Sequence, residues 1–283
     1  MPGFTSVGDY TDAHELGQTY LSTWRKTPAA VTSAGIWNDL SMSPGNPSPN
    51  YYASAPLVAA TLNGATGIPH GGNVSPQTKH LKSLMAMTIT ATALPLQMRL
   101  LDYLLYYPFA DMGTNDAQVM DNTVALPRYS DGQVMAVITN SPSAPLGLTF
   151  TFDYINQSGA AKTSPVQTFG AGTATGTLAT TDRAVFGTPG PFLNLADTDS
   201  AVRRITGFTM LAGLDVGLLA LVIVKPLANH TIAGIDAPVE VDYLIDAPSL
   251  PRIVDGAFLG LVACPMANLS GTPIHGTIET VWS

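Results

Sequence analysis

LPLQMRLLDYLLYYPFADMGTNDAQVMDNTVALPRYSDG, running from Leu94 to Gly132, is the stretch on which the reading of the fold turns. Pro95 suits a first helical position, and Leu96, Leu100, Leu101, Leu104 and Leu105 recur at the spacing of one apolar helical stripe. The spacing predicts a helix near residues 95–107, stopped by Pro108. Tyr103, Tyr106 and Tyr107 leave little of its circumference polar, so such a helix needs cover on most sides. Residues 111–122 are rich in Asp, Asn and Gly, whose side chains compete for backbone hydrogen bonds, and predict a loop. Arg128 to Gly132 then turn the chain into the apolar run Val134 to Ile138.

Outward from that stretch the period changes to two. Met85, Met87, Ile89 and Ala91 alternate with Ala86, Thr88 and Thr90, which predicts a half-buried strand. The cleanest alternation sets Leu148, Phe150, Phe152 and Tyr154 against Thr149, Thr151 and Asp153. Leu218 to Val224 has no alternation and ends at Lys225-Pro226, the pattern of a central strand buried on both faces. Further strands are expected at 134–139, 166–169, 173–178, 204–210, 239–243, 258–263 and 275–282. The fold class is therefore mainly β: a β-sandwich or jelly-roll-like domain over 81–283, with one notable helix and an extended N-terminal arm.

That arm, residues 1–80, shows little periodicity. Asp12, with Glu15 three residues later, predicts a capped helical turn between Asp12 and Thr23. Beyond it, Pro28, Pro44, Pro47, Pro49, Pro56, Pro69 and Pro76 bias the chain to extended geometry. Tyr20, Trp24, Trp37, Tyr51 and Tyr52 are large apolar groups that are unfavourable in water, so they are the expected interface residues. They would anchor the arm on its own domain or, in part, on a neighbouring subunit. On that reading, removing residues 1–50 weakens assembly more than folding.

Charged residues make up only 11% of the chain, against roughly 25% in an ordinary soluble domain. Mean hydropathy is nevertheless positive at +0.21, which points to a surface covered in an assembly. A net charge of −8 with scattered Lys and Arg argues against nucleic acid as a partner. The N-terminus lacks a signal-peptide pattern, and the apolar run Val216 to Val224 is about half the length that spans a bilayer, so no membrane role is expected.

Chemical motifs are sparse. Cys264 stands alone and reads as a small buried hydrophobe, and the five histidines fall in five separate segments. Gly170 to Gly176 approaches a phosphate loop but misses its spacing and lacks the following helix, so it reads as a turn. Asp111, Asn115, Asp116 and Asp121 offer oxygen ligands for calcium but lack the EF-hand register, and a solvated turn is the preferred reading. The carboxylate pairs Asp197 with Asp199 and Asp236 with Glu240 read as solvated edges. No catalytic residue, metal ligand or cofactor is expected.

Phe4 to Asp9, Arg25-Lys-Thr-Pro28, Ser41-Met-Ser-Pro-Gly-Asn-Pro-Ser-Pro-Asn-Tyr-Tyr52, Leu100 to Phe109 and Asp121 to Tyr129 resemble segments of virion structural proteins of tailed bacteriophages. The resemblance covers mainly residues 1 to 160 and implies a non-enzymatic virion protein, assembled in the host cytoplasm. A capsid decoration or cement protein comes first, binding the major capsid protein or other virion proteins as a homo-oligomer, a trimer by analogy. A tail, collar, connector or major shell component is the alternative, and a receptor- or glycan-binding module the second alternative.

Overall fold

Residues 96–111 form a strand rather than a helix. The computed structural model describes residues 4–180, 190–247 and 249–283. Its main elements are α1 (Val7–Glu15), β1 (Thr19–Lys26), β2 (Lys79–Thr88), β3 (Leu96–Asp111), β4 (Gln133–Asn140), β5 (Thr149–Asn156), β6 (Val202–Ala212), β7 (Leu218–Ile232), β8 (Val239–Asp242), β9 (Leu259–Cys264) and β10 (Ile274–Trp282). They make three antiparallel sheets, in the orders β8-β2-β10-β1, β9-β3-β7-β4 and β5-β6, each extended by short strands at its margins. The mainly β architecture expected from sequence is the one observed, and it is consistent with a β-sandwich.

β3 explains why its sequence imitates a helix. Twelve of its sixteen residues are buried, so no polar face remains to show a period of two. Leu96, Met98 and Leu100 enter a core shared with Trp24, Leu81, Leu84 and Ile278 of the first sheet. Leu104, Leu105 and Tyr107 enter a second core with Phe150, Phe152 and Phe208 of the third. Leu101, Tyr103 and Tyr106 face the other side. The β3–β7 register shifts at three places, and at the one between Leu105 and Tyr103 the neighbours Leu104 and Leu105 turn to the same face. Pro108 lies in one of these irregular steps, between Tyr107 and Ala110, where a missing ladder donor is tolerated. Pro226 sits at another, so β7 runs on to Ile232 past the expected end at Lys225-Pro226. The expectation that Leu218 to Val224 is central holds, since β7 lies between β3 and β4.

Residues 1–80 are not a detached arm. β1 pairs with β10 from Thr19↔Val281 to Lys26↔Ile274, joining the two ends of the chain in one sheet. Trp24 fills the core between the first and central sheets, while Trp37, Met42, Tyr52 and Leu62 cover the outer face of the central sheet. The proline-rich sequence is extended, as expected, but Trp24, Trp37 and Tyr52 fold against their own chain. Removing residues 1–50 would therefore delete a strand and two core tryptophans, contrary to the expected sparing of folding. The helix also lies earlier than expected: Ser6 caps it, accepting from Asp9 N at 3.1 Å while Asp9 Oδ2 accepts from Ser6 N at 3.1 Å. From Thr19 onward the expected helical turn is strand. Residues 173–178 make only isolated bridges at Thr177 and Leu178, and 166–169 shrink to a two-residue strand.

Gly276 of β10 marks how closely β2 and β1 pack around that strand. A Cβ there would stand 1.9 Å from the Met85 carbonyl oxygen and 2.8 Å from the Trp24 ring, whereas a Cβ at Gly72 meets nothing within 4 Å. Gly276→Ala is expected to lower stability by about 2 kcal/mol or more and Gly72→Ala to leave it near wild type, as read by urea unfolding.

Candidate interaction surface

Five buried polar side chains fasten the loops to the sheets and so decide which surface is left over. Asp102 sits mid-strand in β3, fully buried, where an unpaired carboxylate would be strongly unfavourable. Arg128 answers it from the 121–132 loop, with Nε to Oδ2 at 2.9 Å and Nη2 to Oδ1 at 2.7 Å. The same guanidinium donates to the Leu62 and Tyr103 carbonyls at 3.2 and 2.9 Å, and Phe258 N donates to Asp102 Oδ1 at 3.0 Å. Burial raises the Asp102 pKa, against the pull of Arg128. One ion pair therefore ties together β3, the segment before β2, the 121–132 loop and the start of β9.

Asp39 plays the same part on the outer face of the central sheet. Its carboxylate accepts from Tyr103 Oη at 2.7 Å, Ser41 N at 2.8 Å, Ser41 Oγ at 2.9 Å and the Tyr52 hydroxyl. Burial raises its pKa despite these donors and pushes both tyrosines well up. Lys26, at the end of β1, donates to the carbonyls of Pro47, Ser43 and Ser41 at 2.8, 3.1 and 3.4 Å. Burial brings its pKa down to about 8, with Asp39 opposing the shift. Lys79 holds the Gly71 and Gly72 carbonyls, His70 Nδ1 at 3.3 Å and Asp255 at 3.7 Å. These groups act as fasteners: each is enclosed and engaged with backbone.

The structure separates the expected interface residues into two groups. Trp24, Trp37 and Tyr52 are at most 2% exposed and belong to the cores, so they cannot anchor a partner. Tyr20 and Tyr51 are exposed, at 39% and 62%. Periodicity could not separate them, because the partners that bury the first three lie on strands distant in sequence. Among the described residues no group of three or more His, Cys, Asp or Glu is placed to hold a metal. Asp111 Oδ1 instead accepts from Gly113 N at 2.7 Å and Thr114 Oγ1 from Asp116 N at 3.1 Å, the bonds of a turn. Asp197 pairs with Lys162 at 2.9 Å, and Asp199 accepts from Tyr154 and Asn156 at 2.8 Å each. Cys264 is buried, as expected.

Two surface features were not legible in the sequence. At the tip of the third sheet, the 141–148 and 211–217 loops meet: Asp215 accepts from Ser143 N and Ala144 N at 3.1 and 2.7 Å. Leu146, Leu211, Leu214 and Val216 are all exposed there, Leu211 at the end of β6 and the other three on loops held by that carboxylate. Between the 122–130 loop and β6 lies an open groove of about 610 Å³, lined by Val124, Leu126, Tyr129, Ile155, Arg203 and Arg204 among others.

No family model matches this chain, and no curated protein matches it. Among solved structures, a chain from the structure of the infectious bursal disease virus Gt strain is 10% identical, with 93% of this chain and 80% of that one covered, at a TM-score of 0.17. A score that low establishes no shared fold.

The fasteners carry two measurable consequences. Arg128→Met leaves Asp102 buried without its cation and is expected to lower stability by roughly 3–5 kcal/mol in urea unfolding, whereas an Asp102→Asn, Arg128→Met double variant recovers part of that loss. Burial also lowers the pKa of His70, His80 and His230 from 6.5. A group neutral in the fold but protonated when unfolded gives stability that is complete above pH 6.5 and falls as pH drops toward the folded value. The urea midpoint is expected to drop between about pH 7.5 and 5.5, and His230→Leu to flatten that slope.

Proposed function

We propose that the chain is a non-enzymatic virion structural protein that decorates or cements a bacteriophage capsid through subunit contacts. Its partner is the major capsid protein or another virion protein, and its assembled form is a homo-oligomer, a trimer by analogy. The observation that supports this best is the apolar tip of the third sheet. Leu146, Leu214 and Val216 are exposed on two loops that Asp215 holds together, with Leu211 exposed at the adjoining end of β6, in a chain of which only 11% is charged. Exposed apolar groups on ordered loops lose little conformational entropy on docking, and burying them removes them from water. Buried side chains elsewhere are engaged in holding loops, which suits a protein whose work is to keep its shape under load.

The resemblance of residues 1–160 to phage virion proteins supports the same reading. Many copies on one lattice let modest contacts hold firmly, because each docked site raises the effective concentration of the next. Imaging labelled protein on purified particles tests the proposal. Label distributed over the head is the expected result, and label confined to the tail tip would end the decoration reading. Leu146→Asp with Leu214→Asp is expected to reduce particle binding about tenfold or more while leaving the thermal melt near wild type, since both positions are exposed.

A further inference from the structure

The groove beside β6 has a cationic wall of unusual origin. The β5–β6 register shifts between Val202 and Arg204, and the extra residue places Arg203 and Arg204 consecutively on the exposed side. Arg203 Nη2 donates to the Gln157 carbonyl at 2.5 Å. Among the described residues neither arginine forms an ion pair, and no Asp or Glu lines the groove. The groove floor and opposite wall supply Val124, Leu126 and Ile155. In a chain of net charge −8 with only twelve Lys and Arg, two adjacent unpaired guanidinium groups over apolar side chains form a distinct recognition surface.

The complementary surface lies on the same molecule, at the opposite end of β3. Residues 226–251 contain Asp236, Glu240, Asp242 and Asp246 and no Lys or Arg. None of these four carboxylates is in an ion pair among the described residues. Beside them Ile245 is the most exposed large apolar side chain described, at 79%, and Leu244 and Ile235 are exposed too. This ridge is fixed to the Arg99 end of β3: Tyr243 Oη donates to the Asn229 carbonyl at 3.3 Å, and Asn229 pairs with Arg99. The groove is fixed to the Tyr107 end, where Tyr107 Oη accepts from Ile205 N at 3.1 Å. Eight residues of strand put the two surfaces about 25 Å apart, so one copy cannot satisfy its own groove.

The geometry points to a head-to-tail contact between two copies of this chain, in which the acidic, apolar 235–246 ridge of one docks into the arginine-walled groove of the next. Charge sign and apolar content match on both sides. Because the two patches differ, the contact is heterologous and propagates into a ring or a lattice row rather than stopping at a two-fold dimer. The inference rests on the reading of the chain as an assembling subunit, and its test keeps the two separate.

Sedimentation of the full chain at rising concentration, in about 0.05 M and about 0.5 M salt, measures the contact. Wild type is expected to self-associate, more weakly at high salt. Arg203→Glu with Arg204→Glu is expected to weaken association about tenfold or more, and Glu240→Lys with Asp246→Lys to do the same. All four substitutions in one chain are expected to restore it to within about threefold, because the charges are exchanged across the contact. All four side chains concerned are exposed and lie outside the cores, so thermal melts near wild type are expected for each variant. A wild type that stays monomeric throughout, a reversal without effect, or a quadruple variant that fails to recover overturns the inference. Wild type that coats particles without self-associating overturns this contact and leaves the decoration reading standing; self-association through these charges without particle binding does the reverse.

Discussion

A strand that shows no face to water must be covered twice, and that requirement organises this molecule. β3 is buried along most of its length, so the first and third sheets share one side of the central sheet while the segment around Trp37, Met42, Tyr52 and Leu62 closes the other. Each large side chain it removes from water contributes roughly 1.5–3 kcal/mol, enough in sum to offset the ordering of the long irregular segments that cover it. The segment before residue 80 is therefore part of the cover, which is why Trp24, Trp37 and Tyr52 point inward.

Two-sided burial makes every polar group in the sheet expensive to leave unpaired. Asp102 is tolerated mid-strand only because Arg128 meets it with two hydrogen bonds and lends its remaining donors to the Leu62 and Tyr103 carbonyls. Asp39 solves the same problem with hydroxyl and amide donors and Lys26 with carbonyl acceptors. Buried ion pairs are weak sources of net stability, but they forbid alternatives: a loop that carries the only counter-charge has one place to go. Loops without regular structure thereby acquire fixed positions, and the surfaces they carry become defined enough to recognise a partner.

What remains outside is correspondingly sparse in charge. An apolar tip, a groove whose two arginines form no ion pair among the described residues, and an acidic ridge lie on different parts of the surface, as the proposed role in a lattice would require. Low charge density lowers the desolvation opposing each contact, while the few charges retained give direction. On the proposed reading, folding and assembly divide the residues between them: the groups enclosed by the sheets hold shape, and the exposed ones are available to neighbours.

By itself the sequence determined the mainly β class, most strand positions and the central place of Leu218 to Val224, because alternation and its absence are local consequences of one-sided or two-sided burial. It also marked Tyr20, Trp24, Trp37, Tyr51 and Tyr52 as groups in need of cover. Only the tertiary structure decided that β3 is a strand, since two-sided burial combined with register shifts writes the same apolar spacing as a helix. It alone decided that Trp24, Trp37 and Tyr52 are enclosed while Tyr20 and Tyr51 are not, that Arg128 belongs to Asp102, and that Arg203 and Arg204 share a groove wall. Each of those outcomes depends on which distant strands become neighbours, and contacts between residues far apart in sequence leave no periodic trace in it.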